Sequence, residues 1–174
     1  MKFLILLFFL SFNVMAKVNC DRNPIYCQIK KNSPSINGQY AMQLSNIIYK
    51  MHKKYGIPSN IFTAILMQES KYTLTAKGRH CGYTKDFKKI CVYSDYGISQ
   101  IHYKSAELWK FDVERLTKDL EYSVEAGAKI LQYFMKRFEQ NEPDKWYSRY
   151  NCGTASNVDR DICKEYKTAV DRYL

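Results

Sequence analysis

The stretch from Ile57 to Ser70 sets the strongest constraint on the fold. Gly56 suits the end of one helix, and Pro58 with Ser59 suits the start of the next. At about 100° of rotation per residue, with Ile61 as zero, Ile65 falls near 40°, Phe62 near 100° and Leu66 near 140°. Glu69 falls near 80°, in the middle of this apolar stripe. Such a stripe packs against other elements, so a carboxyl group at that angle faces the interior or a cleft wall. Burial disfavours its charged form, and the negative end of the helix dipole disfavours it further. Both effects raise the pKa, as a group that donates a proton near neutral pH requires. A frayed helix end would instead let Glu69 reach out to water, and periodicity alone leaves both placements open.

The chain's 174 residues suit one domain with a real hydrophobic core. Met1 to Ala16 reads as a secretory signal peptide: Lys2, an apolar run from Phe3 to Phe12, and Val14-Met15-Ala16 as a cleavage site. The competing reading is a membrane anchor, but the run is short for a bilayer span. Cys20 lacks the small preceding residues of a lipid-attachment site. The expected mature chain therefore begins at Lys17, is exported to a periplasmic or extracellular space, and inserts in no membrane. Six cysteines fit an oxidising compartment. Of fifteen possible connectivities, the simplest joins nearest neighbours: Cys20–Cys27, Cys81–Cys91 and Cys152–Cys163. No zinc-ligand spacing appears among the cysteines and histidines. The formal charge is +10, or +9 without Lys2. Outside a cell membrane that favours wall polymers, anionic lipid surfaces or extracellular nucleic acid, or serves solubility alone.

Residues 17–38, with two cysteines and two prolines, read as a disulfide-stapled irregular arm. In Gln39 to Tyr55 a helix is expected from Ala41, Leu44, Ile48, Met51 and Tyr55. Between Thr73 and Asp95 the helical pattern breaks, and Tyr83, Phe87, Ile90 and Val92 offer short strand-like or loop segments. A short helix near Tyr103 to Trp109 precedes a long one at about Asp119 to Phe138. Val124, Ala128, Leu131, Phe134, Met135 and Phe138 line its buried side, and Gly127 permits close approach by a neighbour. A final helix, about Asp159 to Tyr173, places Ile162, Tyr166, Ala169, Val170 and Tyr173 on one face. The expected architecture is α+β but mostly α, a single domain over residues 39–174 with a small irregular or β lobe.

Three segments stand out in order: Glu69-Ser70, Gly97-Ile98-Ser99-Gln100-Ile101 and Tyr150-Asn151-Cys152-Gly153. Together they resemble the lysozyme-like soluble lytic transglycosylases, most closely the small exported members that accompany secretion and conjugation machines. In that family a Glu-Ser pair ends a helix, a Gly-Leu-Met-Gln-Ile segment lines the cleft and an Ala-Tyr-Asn segment closes it. The resemblance spans roughly Tyr40 to Tyr173. Ser105-Ala106 and Gly127-Ala128 with Ile130-Leu131 also match, whereas Ser99 replaces the usual methionine, Arg149 replaces the usual alanine, and the Cys81–Cys91 region is an insertion.

The resemblance implies cleavage of the β-1,4 bond between N-acetylmuramic acid and N-acetylglucosamine in peptidoglycan, giving 1,6-anhydromuramyl ends. It assigns Glu69 as acid and then base, and places Ser70, Gly97, Ser99, Gln100, Tyr150 and Asn151 in substrate binding. Tyr150 is expected to hydrogen-bond Glu69, Gln100 and Asn151 to meet N-acetyl and hydroxyl groups, and Ser70 to brace the helix end. Each also has a plainer reading: Tyr150 as a core tyrosine, Asn151 as a turn residue, Gln100 as a capping or solvated amide. Ordinary glycosidases pair two carboxyl groups. Asp95 is the nearest second one, or else a turn or capping aspartate. The resemblance implies a peptidoglycan-binding monomer with no cofactor, no metal and no nucleic-acid partner, and offers a secretion or conjugation machine as a further partner. A goose-type lysozyme, using water on the same Glu69, and a non-catalytic wall-binding or assembly protein are the alternatives. A serine hydrolase built on Asp95, Ser99 and His102 lacks the second glycine of a nucleophile elbow. A cysteine peptidase using Cys152 conflicts with an even cysteine count.

Overall fold

The computed structural model describes residues 19–83, 86–154 and 161–174. The expected signal peptide, its cleavage site, Lys17 and the expected helix start at Asp159 lie outside the described residues. Helix α1 (Pro24–Asn32) is followed by α2 (Gly38–Tyr55) and α3 (Ser59–Ser70). An antiparallel sheet comes next, from β1 (Lys77–Tyr83), β2 (Lys89–Tyr96) and β3 (Ile101–His102). Helices α4 (Tyr103–Trp109), α5 (Val113–Leu116) and the long α6 (Leu120–Phe138) lead to a 3-10 turn at Trp146–Ser148, then α7 (Arg149–Cys152) and α8 (Asp161–Asp171). The mostly helical α+β architecture and the small sheet lobe are those expected of a lysozyme-like domain.

Local chemistry sets the helix boundaries. Asn37 caps α2 through its side chain on the Tyr40 amide, 3.1 Å, and Gly56 closes it in the left-handed conformation at φ 69°. Asp119 caps α6 on the Tyr122 amide at 3.0 Å. The main core joins α1, α2, α3, α6 and α8, with Leu44, Ile48, Phe62, Ile65, Leu131 and Val170 among its members. A second cluster of Ile101, Ala106, Leu116, Ala126, Ile130 and Phe134 seats the start of α4 and the end of the sheet on α6. On α6 the expected Val124, Ala128, Leu131 and Phe134 are buried, while Met135 and Phe138 are partly so. All three nearest-neighbour disulfides are present.

Two helices depart from the sequence reading. The expected irregular arm contains α1, begun by Pro24 and anchored by Ile25 and Ile29, one helical turn apart and both buried. Gln28 fastens it by donating to the carbonyls of Asn60 and Tyr173 at 3.0 and 2.9 Å. Nine residues with a single apolar pair give too little periodicity to reveal a helix. On α8, Ile162 is exposed rather than packed. Cys163, Tyr166 and Val170 form the buried stripe, and Ile162 lies about 100° round the helix from Cys163.

Candidate active site

Glu69 occupies the last turn of α3, where the helix meets the segment between β2 and β3. Ser70 makes that junction: its hydroxyl donates to the Ile98 carbonyl at 2.8 Å. Gly97 turns the chain at φ 78°, and a Cβ there would meet the Leu116 carbonyl oxygen at 2.1 Å. Ser99 is fully buried and donates to the Ser123 carbonyl at 2.9 Å. Behind it runs α6, whose Gly127 leaves room: a Cβ would meet Ser99 Oγ at 2.4 Å and the Tyr150 hydroxyl at 3.1 Å. The expected close approach at Gly127 is thus to the two segments that flank Glu69.

A cavity of about 820 Å³ opens at this junction. Glu69, Asp95, Gln100, Tyr150 and Asn151 line part of it. Helices α4 and α6 supply Leu108, Trp109, Ile130, Tyr133 and Phe134. The three separated motifs therefore do meet, but not every residue in them faces the cavity. Ser70, Gly97 and Ser99 are not among its lining residues; their hydrogen bonds and tight packing turn them toward the backbone they support. Gln100 reaches the cavity with φ 46°, and its side-chain amide donates a hydrogen bond to the Gly97 carbonyl at 2.8 Å.

The partner of Glu69 differs from the expected one. Tyr150 donates to the Ser99 carbonyl at 2.9 Å, whereas Tyr166 on α8 donates to Glu69 Oε1 at 2.5 Å. Burial raises the Glu69 pKa from 4.5 to about 7; the Tyr166 hydrogen bond opposes the rise and the Asp95 charge adds to it. Glu69 is neither fully sealed nor wetted: the protein packs closely about its carboxyl, yet one side opens onto the cavity. Burial and the Glu69 charge push both Tyr150 and Tyr166 well above the ordinary tyrosine pKa, so both remain hydrogen-bond donors. Tyr166 was legible in the sequence only as a core residue of α8. Its partner lies 97 positions away, and no local pattern marks such a pair.

Asp95 accepts from Ser94 Oγ at 2.8 Å and stands opposite His102 in the β2–β3 register. Cross-strand partners share a face of the sheet, and both residues line the cavity. The Tyr150–Asn151 turn is fixed from below by Arg149. Its guanidinium is buried, donates through Nε and Nη2 to the two Glu142 oxygens at 3.0 and 2.5 Å, and lies over the Phe138 ring at 4.3 Å. Where the family usually has alanine, this chain therefore has a buried ion pair. The Cys152–Cys163 bridge joins the same turn to α8. Among the described residues no group of His, Cys, Asp or Glu is arranged to hold a metal ion.

A carboxyl group that keeps its proton up to about pH 7 on the wall of such a cavity is equipped to donate it. A family model, the transglycosylase SLT domain, matches residues 46–173. The chain belongs to the transglycosylase SLT family. Neither the curated proteins nor the solved structures compared with it gave a match. The family membership carries a lytic-transglycosylase type of peptidoglycan cleavage, which takes place outside the cytoplasm. Among the described residues no helix is long and apolar enough to cross a membrane.

Proposed function

We propose that this SLT-family chain cleaves the β-1,4 bond between N-acetylmuramic acid and N-acetylglucosamine, with Glu69 as its one acid and base. The supporting observation is the Glu69 carboxyl itself, on the cavity wall with a pKa raised to about 7 and Oε1 held by Tyr166. That bond leaves Oε2 for the glycosidic oxygen. Protonated Glu69 gives its proton to that oxygen as the bond to the anomeric carbon breaks, and the N-acetylglucosamine side departs as an alcohol. The substrate's own acetamido group shares the positive charge that develops. Glu69, now a carboxylate, takes the proton of the muramyl 6-hydroxyl while that oxygen bonds to the anomeric carbon. The 1,6-anhydro ring closes, Glu69 is protonated again, and no water is consumed.

In this reading Gln100 and Asn151 meet the acetamido and hydroxyl groups of the glycan. Ser70, Gly97 and Ser99 act one layer back and hold the cavity wall in place, while Tyr150 forms part of that wall. Export by a signal peptide completes the proposal, because the substrate lies outside the cytoplasm. The likeness to members that serve secretion and conjugation machines rests on the sequence motifs alone.

One observation favours a second reading. Asp95 shares the cavity and bears electrostatically on Glu69, so a water between them has a base at hand, as in glycosidases that use two carboxyl groups. Product mass separates the two. The anhydro product is lighter than the hydrolytic one by one water, so muropeptides bearing only reducing ends would reject the transglycosylase. Purified peptidoglycan cleared by the unmutated chain and left intact by Glu69→Gln would exclude a purely wall-binding role. Equal clearance by both would remove Glu69 from the chemistry.

A further inference from the structure

The polar part of the cavity accounts for the chemistry proposed at Glu69, but its apolar part is left without a task. Ile130, Tyr133 and Phe134 share one face of α6, at the helical spacing of three and four residues. The end of α4 sets Leu108 and Trp109 against them. Leu108 is 80% exposed and Tyr133 36%, so apolar surface is left open at a cavity mouth. The rings are fixed in advance. Trp109 meets Tyr133 edge-on, with centroids 5.8 Å apart, and stacks on Phe111 at 6.1 Å. The Tyr133 hydroxyl accepts from Arg137 Nη1 at 2.8 Å.

We propose that Trp109 and Tyr133 form a stacking platform for the ring face of an N-acetylated hexopyranose. The proposal rests on the glycan-cleaving reading and extends the bound part of the substrate beyond the groups beside Glu69. The cavity, at about 820 Å³, lies in the range that accepts ligands larger than one sugar ring. A pyranose suits the mixture of walls. Its C–H face covers an aromatic ring, while its hydroxyl and acetamido rim faces Gln100, His102 and Asn151. An acyl chain would press hydrocarbon against those same polar groups, which lose water without gaining partners. A carboxylate-rich peptide would meet the carboxyl groups of Glu69 and Asp95. Rings already held by Phe111 and Arg137 lose little freedom when a ligand arrives.

The chain contains two tryptophans, and Trp146 is 2% exposed, so a change in emission on ligand binding reports Trp109. The experiment titrates the intact Glu69→Gln protein with N-acetylglucosamine oligomers of increasing length. We expect a saturable change in tryptophan emission, absent in Trp109→Phe, with affinity rising with oligomer length. In the active protein Trp109→Ala should raise KM on glycan strands about tenfold and leave the pH profile of kcat in place, with Trp109→Phe restoring most of the loss. Oligomers that bind by calorimetry with silent emission would overturn the platform. So would an absence of binding, an unchanged KM in Trp109→Ala, or the same emission change on adding a sugar-free stem peptide or a lipid micelle. Clearance of peptidoglycan by the unmutated chain is scored separately. An emission response without clearance defeats the cleavage reading and leaves the platform standing; clearance with silent emission does the reverse.

Discussion

Replacing Glu69 by Gln should stabilise the protein, and only above a definite pH. The unfolded chain releases the Glu69 proton near pH 4.5, whereas the folded chain holds it to about pH 7. Below the first value both states are neutral and the group contributes nothing. Between the two values the folded state binds more protons than the unfolded one, so stability falls as pH rises. Above about pH 7 both are ionised, and the accumulated cost levels off at about 3 kcal/mol, the free energy equivalent of the interval from 4.5 to about 7. Gln keeps an oxygen for the Tyr166 hydroxyl and never ionises. Its advantage over Glu should therefore be constant below about pH 4.5, grow between there and about pH 7, and level off at about 3 kcal/mol above it. For a chain of this size that is about 6–12 °C in Tm. Calorimetric unfolding of both proteins across that pH range measures it. The pH-dependent part of the difference is the quantity that matters, because any packing difference between Gln and Glu shifts all pH values alike. Two stability curves that stay parallel from acid to alkali would refute the claim that burial raises the Glu69 pKa.

Two further outcomes follow from the neighbours of Glu69. Removing the Tyr166 hydroxyl takes away the hydrogen bond that favours the carboxylate, so in Tyr166→Phe the alkaline loss of kcat/KM should move to higher pH, with about tenfold lower activity at the optimum. A pH profile that keeps its position would show that Tyr166 does not act on Glu69. Glu142→Gln removes the Glu142 carboxylate from the buried Arg149 guanidinium and should cost about 3–5 kcal/mol in urea unfolding, together with weaker glycan binding as the Tyr150–Asn151 turn shifts. A loss below 1 kcal/mol, the usual size for an exposed pair, would mean the ion pair is solvated and fixes nothing.

Features governed by short separations were open to sequence reading. The angle of Glu69 in its stripe, the helix end at Gly56 and the disulfides all depend on residues close along the chain, where spacing alone fixes who can meet. The three motifs around the cavity were legible as a set because their residue types repeat a family pattern. Contacts made only by tertiary packing were hidden. Tyr166 and Tyr150 carry the same hydroxyl, and only the fold decides that α8 brings the former to Glu69 while the latter reaches the Ser99 carbonyl. Ser99 sits inside a cavity motif yet points at α6, because the tight turn from Gly97 to Gln100, with positive φ at both ends, sends neighbouring side chains in different directions. Helix α1 escaped notice because its stability comes from packing against α2 and α3 rather than from its own pattern.

The bridge from Cys152 to Cys163 lies between the turn that carries Asn151 and the turn of α8 that carries Tyr166. One wall of the cavity is thereby tethered to the helix whose tyrosine holds the Glu69 carboxyl. A cross-link so placed narrows the wandering of the unfolded chain most where the acid's surroundings must be assembled. Thiol oxidation thus becomes part of assembling the surroundings of Glu69, and a reducing milieu would leave α7 and α8 to find each other unaided.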